Sequence, residues 1–112
     1  MSSALPQPLR AIRVLSLALN LPGPAALMRC ARMGALCTKL EPPPAPGHPS
    51  ADPMRLYSPA AYAALHGGVR VIHAHLKTPE GQALLHGELA DTDVLITSFR
   101  PSALSKLGLG WD

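Results

Sequence analysis

Few side chains in this 112-residue sequence are spaced for chemistry, and each class points to something different. Lys77 follows directly after an apolar stretch, where a flexible ammonium can meet a phosphate as a point charge. By position alone it reads more readily as an ordinary solvated lysine. Arg100 and Phe99 follow a second apolar stretch, with a surface ion pair and core packing as their plain alternatives. His73 and His75 alternate and could share one side, which permits a metal reading, but no third ligand is suggested nearby and no metal is expected. His48, His66 and His86 read as loop or surface residues. Glu41, Asp52, Glu80, Glu88, Asp91 and Asp93 read as strand-end, loop or cap residues, and Asp112 ends the chain. None has a partner base or oxyanion donor at suggestive spacing, so no catalytic residue is assigned.

The elements that would carry these residues alternate. Ile12 to Leu19 reads as a buried strand, because a parallel strand covered on both faces is apolar throughout. Leu21-Pro22-Gly23-Pro24 reads as a turn, with Gly23 permitting unusual backbone and Pro24 at the first helical position. A helix follows from Ala25 to Met33, with Leu27, Cys30 and Ala31 on its buried face and Gly34 as its cap. Ala35 to Glu41 is a second strand. The proline-rich stretch 42–59 reads as a long extended loop, and Ser58 to His66 as a short helix. Val69 to Leu76 is a third strand. Thr78, Pro79 and Glu80 open a helix to Ala90, with Leu84, Leu85 and Leu89 on its buried side. Val94-Leu95-Ile96 is a fourth strand, and Ser102 to Leu107 a last helix closed by Gly108. Strands alternating with helices imply an α/β fold with a largely parallel sheet, whose ligands bind beyond the carboxyl ends of the strands. The loops Asn20–Pro24, Leu76–Pro79 and Thr97–Pro101 lie there.

Composition narrows the class. Hydrophobic residues make up 47% but aromatics only 4%, so the core is Ala, Leu, Val and Ile, which suits helices on a sheet. The net charge of +3 comes from scattered cations, not from a basic patch with interleaved aromatics, which argues against nucleic acid. The apolar run Val14–Leu19 is too short to span a membrane. Cys30 and Cys37 are too few for a disulfide framework or a zinc pair and read as reduced thiols of a cytoplasmic protein. There is no G-x-G-x-x-G and no G-x-x-x-x-G-K, which removes the ordinary dinucleotide and nucleotide loops.

Five segments in order carry a family resemblance. Pro8-Leu9-Arg10-Ala11-Ile12-Arg13-Val14-Leu15 resembles the opening strand of the class III CoA-transferases, the carnitine and bile-acid CoA-transferase type. Leu21-Pro22-Gly23-Pro24-Ala25 resembles their first loop. Gly34-Ala35 with Lys39-Leu40-Glu41-Pro42-Pro43 resembles their second strand and its exit. Leu76-Lys77-Thr78-Pro79-Glu80-Gly81 resembles a further segment. Asp93-Val94-Leu95-Ile96 through Phe99-Arg100-Pro101 and Leu107-Gly108-Leu109-Gly110 completes the series.

The resemblance implies that residues 1–112 form the amino-terminal part of a Rossmann-like large domain that holds coenzyme A (CoA). It places Leu21, Pro22, Ala74, His75, Leu76, Lys77, Ser98, Phe99, Arg100 and Lys106 at CoA. Lys106 stands where the family often has Arg, keeping the charge without the bidentate fork. His75 stands where Asp is usual, Ser98 where Asn is common, and Pro42 where some members have Arg. The implied activity moves CoA between an acyl-CoA thioester and a carboxylic acid: an Asp carboxylate attacks the thioester, giving a mixed anhydride and free thiolate. That Asp lies downstream of the ending seen here, so the chain is expected to supply CoA-binding loops without the nucleophile. CoA is then a substrate and no cofactor is held permanently. The implied full-length assembly is an interlocked homodimer, with no nucleic acid or membrane partner. A non-catalytic CoA-binding remnant and a fragment of an α-methylacyl-CoA racemase-like enzyme are the alternatives.

Overall fold

The computed structural model describes residues 7–109. Gly110, which ends the last quoted segment, and Asp112 lie outside them. In chain order the elements are β1 (Arg13–Ser16), α1 (Pro22–Arg32), β2 (Leu36–Glu41), α2 (Pro53–Tyr57), α3 (Pro59–His66), β3 (Val69–His73), α4 (Pro79–Ala90), β4 (Val94–Ile96) and α5 (Pro101–Lys106). The four strands form one all-parallel sheet in the order β3-β2-β1-β4. This is the α/β architecture that the alternating pattern predicts.

Side-chain alternation along the strands divides the core in two. Val14 and Cys37 pack with Leu27 of α1 and with Ala35. Their neighbours of opposite phase, Leu15 and Leu40, pack with Leu17, Ala74 and Leu85 of α4. Helices therefore lie on both faces. Thr78 caps α4 as its sequence implies, its Oγ1 accepting from Gly81 N at 3.1 Å. Both thiols are free, Cys37 buried and Cys30 half-buried.

Several boundaries shift. β1 is shorter than expected, although Leu17 and Ala18 beyond it remain buried. α1 begins at Pro22, so the expected turn is its first helical turn, and proline at the first position suits either start. The unusual backbone falls on Asn20, at φ 69°, not on Gly23. Gly23 serves close packing instead, since a Cβ there would overlap that of Ala18. The proline-rich stretch is extended only to its middle. Asp52 then caps α2, accepting from Met54 N at 2.9 Å. Of the leucines expected on the buried side of α4, Leu85 is fully buried, whereas Leu84 is 39% exposed.

The Gly23–Ala18 approach predicts a compensation. Gly23→Ala should cost about 1–3 kcal/mol by overpacking, read as a lowered urea midpoint. Adding Ala18→Gly should recover most of that loss.

Candidate functional site

The strand order reverses once. The chain builds β1, β2 and β3 toward one edge, then returns to place β4 against the other side of β1. Loops leaving β1 and β4 thus diverge across a crevice at the carboxyl ends, the switch point where open parallel sheets bind ligands. The pairing of β1 with β4 continues past the strands, with Leu17 N donating to Ile96 O at 2.9 Å. From there Leu21 and Pro22 leave on one side and Ser98, Phe99 and Arg100 on the other.

Of the sequence-derived candidates, Leu21 and Pro22 are exposed at the start of α1. Ser98 and Arg100 are exposed, and Arg100 directly precedes α5. Phe99 is half-buried against the α4-side core, and its N–H donates to Thr97 Oγ1 at 3.1 Å. Leu76 packs against that same core, so the β3 and β4 loops share one apolar floor. Lys106 is exposed in the last turn of α5.

The β3–α4 loop is tightly built. Ala74 is buried, and its N–H donates to Glu41 O at 3.0 Å. Thr78 Oγ1 donates to His75 O at 2.8 Å, and Gln82 Nε2 donates to Leu76 O at 2.6 Å. Gly81 lies directly on the His75 carbonyl, where any Cβ would collide. His75 turns back on its own loop, Nδ1 accepting from Lys77 N at 3.3 Å. His73 instead lies 3.5 Å from Glu41 Oε1. Lys77 is exposed, and among the described residues no carboxylate pairs with it.

Sequence reasoning missed the most organised polar feature. Lys39 on β2 is fully buried, and its ammonium meets three acceptors: Glu41 Oε2 at 2.9 Å, Asp52 Oδ2, and His66 Nε2 at 2.9 Å. Glu41 also accepts from Tyr62 OH at 2.6 Å and Ser50 Oγ at 2.9 Å. Tyr62 and His66 stack with ring centroids 3.9 Å apart. His66, read from sequence as a loop or surface residue, is only 8% exposed because α3 turns it inward onto Lys39. Asp52 and Glu41 are cap and strand-end residues as expected, and both are also buried partners of this lysine. The available signal was phase: Cys37, Lys39 and Glu41 share one side of β2, and Cys37 is apolar and buried.

Glu41, Asp52 and His66 present ligand atoms all within 4.8 Å of one another, a spacing that suits a metal ion. The Lys39 ammonium stands among them, so the chain's own cation fills that place. A hollow of about 450 Å³, lined by Arg13, Leu36, Arg70 and Glu88, lies at the amino ends of the strands, away from the candidate loops.

Burial pushes the Glu41 carboxyl up, but hydrogen bonds from Tyr62 and Lys39 and the lysine charge outweigh it, so it titrates below its ordinary 4.5. Burial, aided by the Lys39 charge, holds His66 below its ordinary 6.5. His66 Nδ1 lies 2.6 Å from Tyr62 O and carries the hydrogen, leaving Nε2 to accept from Lys39. Burial and Glu41 raise the Tyr62 phenol. Below pH 6.5 the unfolded chain takes up a His66 proton that the folded chain resists, and below pH 4.5 a Glu41 proton as well. The contribution of these two groups to stability should therefore be full above pH 6.5, decline below it and fall more steeply below 4.5. Urea midpoints across that range test this, and Glu41→Gln should flatten the lower part.

Known proteins match this chain over almost its whole described length. The model of CoA-transferase family III matches residues 9–112. A succinate–glutarate CoA-transferase of Agrobacterium fabrum is 43% identical over 94% of this chain and 28% of its own length. A succinyl-CoA–D-citramalate CoA-transferase of Chloroflexus aurantiacus is 36% identical over 96% of this chain and 27% of its own. Among solved structures, a CAIB/BAIF family protein from Brucella suis superimposes with a TM-score of 0.77 at 31% identity, covering 96% of this chain and 30% of that one. A hypothetical protein from Mycobacterium tuberculosis reaches a TM-score of 0.80 at 26% identity, covering 95% and 29%. The chain thus spans little more than a quarter of the curated relatives it matches. With its parallel sheet, its switch-point loops and this match, the chain belongs to CoA-transferase family III.

Proposed function

We propose that this chain supplies the CoA-binding loops of an enzyme that moves CoA between an acyl-CoA thioester and a carboxylic acid, and that it contributes no catalytic carboxylate. The observation that carries the reading is that all the candidate loops leave the carboxyl end of one parallel sheet, with Lys77 exposed among them. The relatives' names, which pair succinate or succinyl-CoA with glutarate or D-citramalate, support exchange between an acyl-CoA and an acid.

In this reading the 3′-phosphate and diphosphate of CoA are met by Lys77, Arg100 and Lys106. The adenine and ribose lie along Ala74, His75 and Leu76, and the pantetheine arm along Ser98 and Phe99 toward Leu21 and Pro22. CoA is a substrate here and not a resident cofactor.

The acids fit a non-catalytic part. Glu41 and Asp52 are held by Lys39, and Glu88 pairs with Arg70 at 2.7 Å. Asp93 accepts from Arg13 N at the amino end of the sheet. Glu80 sits in the first turn of α4, and exposed Asp91 follows its last. Covalent transfer needs a free carboxylate at the thioester; four of these acids are engaged elsewhere, and exposed Glu80, beside the β3 loop, reads as a helix-start residue that favours the positive end of α4. That same accounting favours, as a second reading, a CoA-binding module without activity of its own.

The interlocked pair of chains belongs to the proposal. Val94 and Leu95 on the β4 edge are 46% and 37% exposed, which supports cover by further polypeptide. Among the described residues no helix is long and apolar enough to cross a membrane. A cytoplasmic location is part of the same reading, with the two free thiols as its support.

Two outcomes are expected. The purified chain should show no transfer of CoA from succinyl-CoA to glutarate; turnover would refute the claim that it lacks the nucleophile. In calorimetric titration with CoA, Lys77→Ala should weaken binding about tenfold, ~1.4 kcal/mol, as for one charged hydrogen bond. Equal affinity would remove Lys77 from the site.

A further inference from the structure

We infer that Lys39 and Asp52 are positioning residues for CoA: their buried ion pair sets the backbone of the Asn20–Pro22 loop at the switch crevice. The inference rests on the proposed reading that this loop touches CoA.

Asn20 is the point of control. It leaves β1 at φ 69°, a left-handed conformation uncommon outside glycine and tolerated by Asn, here held by contacts at both ends of the residue. Both its ends are held from outside the loop. Its N–H donates to Asp52 Oδ1 at 3.0 Å, and its side-chain Oδ1 accepts from Tyr57 OH. The same Asp52 Oδ1 accepts from Met54 N, which fixes the carboxylate to the start of α2. The other oxygen, Oδ2, is engaged by Lys39. The loop therefore takes its shape from a carboxylate on a distant segment, and that carboxylate takes its orientation from a buried ammonium.

The chemistry suits a positioning role better than a stabilising one. Burying a lysine with two carboxylates is at best a weak source of stability, because desolvation offsets the attraction. What such a pair supplies is direction. With three hydrogens committed to three acceptors, Lys39 leaves Asp52 little freedom to turn. Leu21 and Pro22 follow Asn20 immediately, so a change in its φ swings both across the crevice.

The test separates position from stability. CoA affinity by calorimetry, Asn20 amide exchange by NMR and the thermal midpoint are measured on wild type, Asp52→Asn, Tyr57→Phe and Val14→Ala. Tyr57 is 63% exposed, so its variant keeps the fold even if Asp52→Asn does not. Val14 is buried at the start of β1, outside the ion cluster, and serves as the stability control. Asp52→Asn is expected to weaken CoA at least fivefold and Tyr57→Phe about threefold, both with faster Asn20 exchange. Val14→Ala should lower the thermal midpoint while its CoA affinity stays at the wild-type value. Wild-type affinity in Tyr57→Phe together with unchanged Asn20 exchange overturns the positioning role. So does an affinity loss in Val14→Ala as large as that in Asp52→Asn. Absence of CoA binding by the wild-type chain overturns the reading of the loop itself, and that single titration distinguishes the two failures.

Discussion

The Lys39 ammonium is the interaction on which the carboxyl end of this sheet depends. It is one buried cation with three donors and three acceptors, drawn from β2, from the segment that caps α2 and from α3. Remove the charge and Glu41 and Asp52 become buried carboxylates without a counterion, the costly case. Keep it, and every polar group around it finds a partner. Among the described residues no buried side-chain nitrogen or oxygen is left without a hydrogen bond. The proline-rich stretch has few backbone donors of its own, so this cluster supplies the anchor that its sequence lacks.

The candidate loops are positioned in different ways. The β1 loop depends on long-range polar contacts, through Asp52 and Tyr57 to Asn20. The β3 loop is held locally, by Thr78 and Gln82 on the His75 and Leu76 carbonyls and by the contact of Gly81 with the same turn. The β4 loop rests on packing, with Phe99 seated on the α4-side core. A ligand spanning all three would meet surfaces with separate causes of order.

The distribution of charge fits that division. Acids are spent on structure: two on Lys39, one on Arg70, one on the backbone of Arg13. Lys77 and Arg100 remain exposed beside the strand ends. Glu80, in the first turn of α4, is exposed near Lys77.

Local pattern determined the order of elements apart from α2, the parallel sheet, the Thr78 cap and β4 residue for residue, because strand phase, proline at a helix start and glycine at a helix end act over a few neighbours. It also carried the family, since the ordered segments run along almost the whole matched length. Helix phase was less secure: Leu84 and Leu85 are adjacent and equally apolar and both read as buried, and only the packing of Leu85 on Leu15 and Leu40 left Leu84 exposed. The turn at Asn20 was not read, although Asn tolerates it locally, because the contacts that hold it come from Asp52 and Tyr57. Lys39 and His66 look like surface residues when read singly. Their burial depends on each other and on two carboxylates brought in by separate segments. A charge enters a core only when its partners arrive with it, and that arrival is a property of the tertiary structure alone.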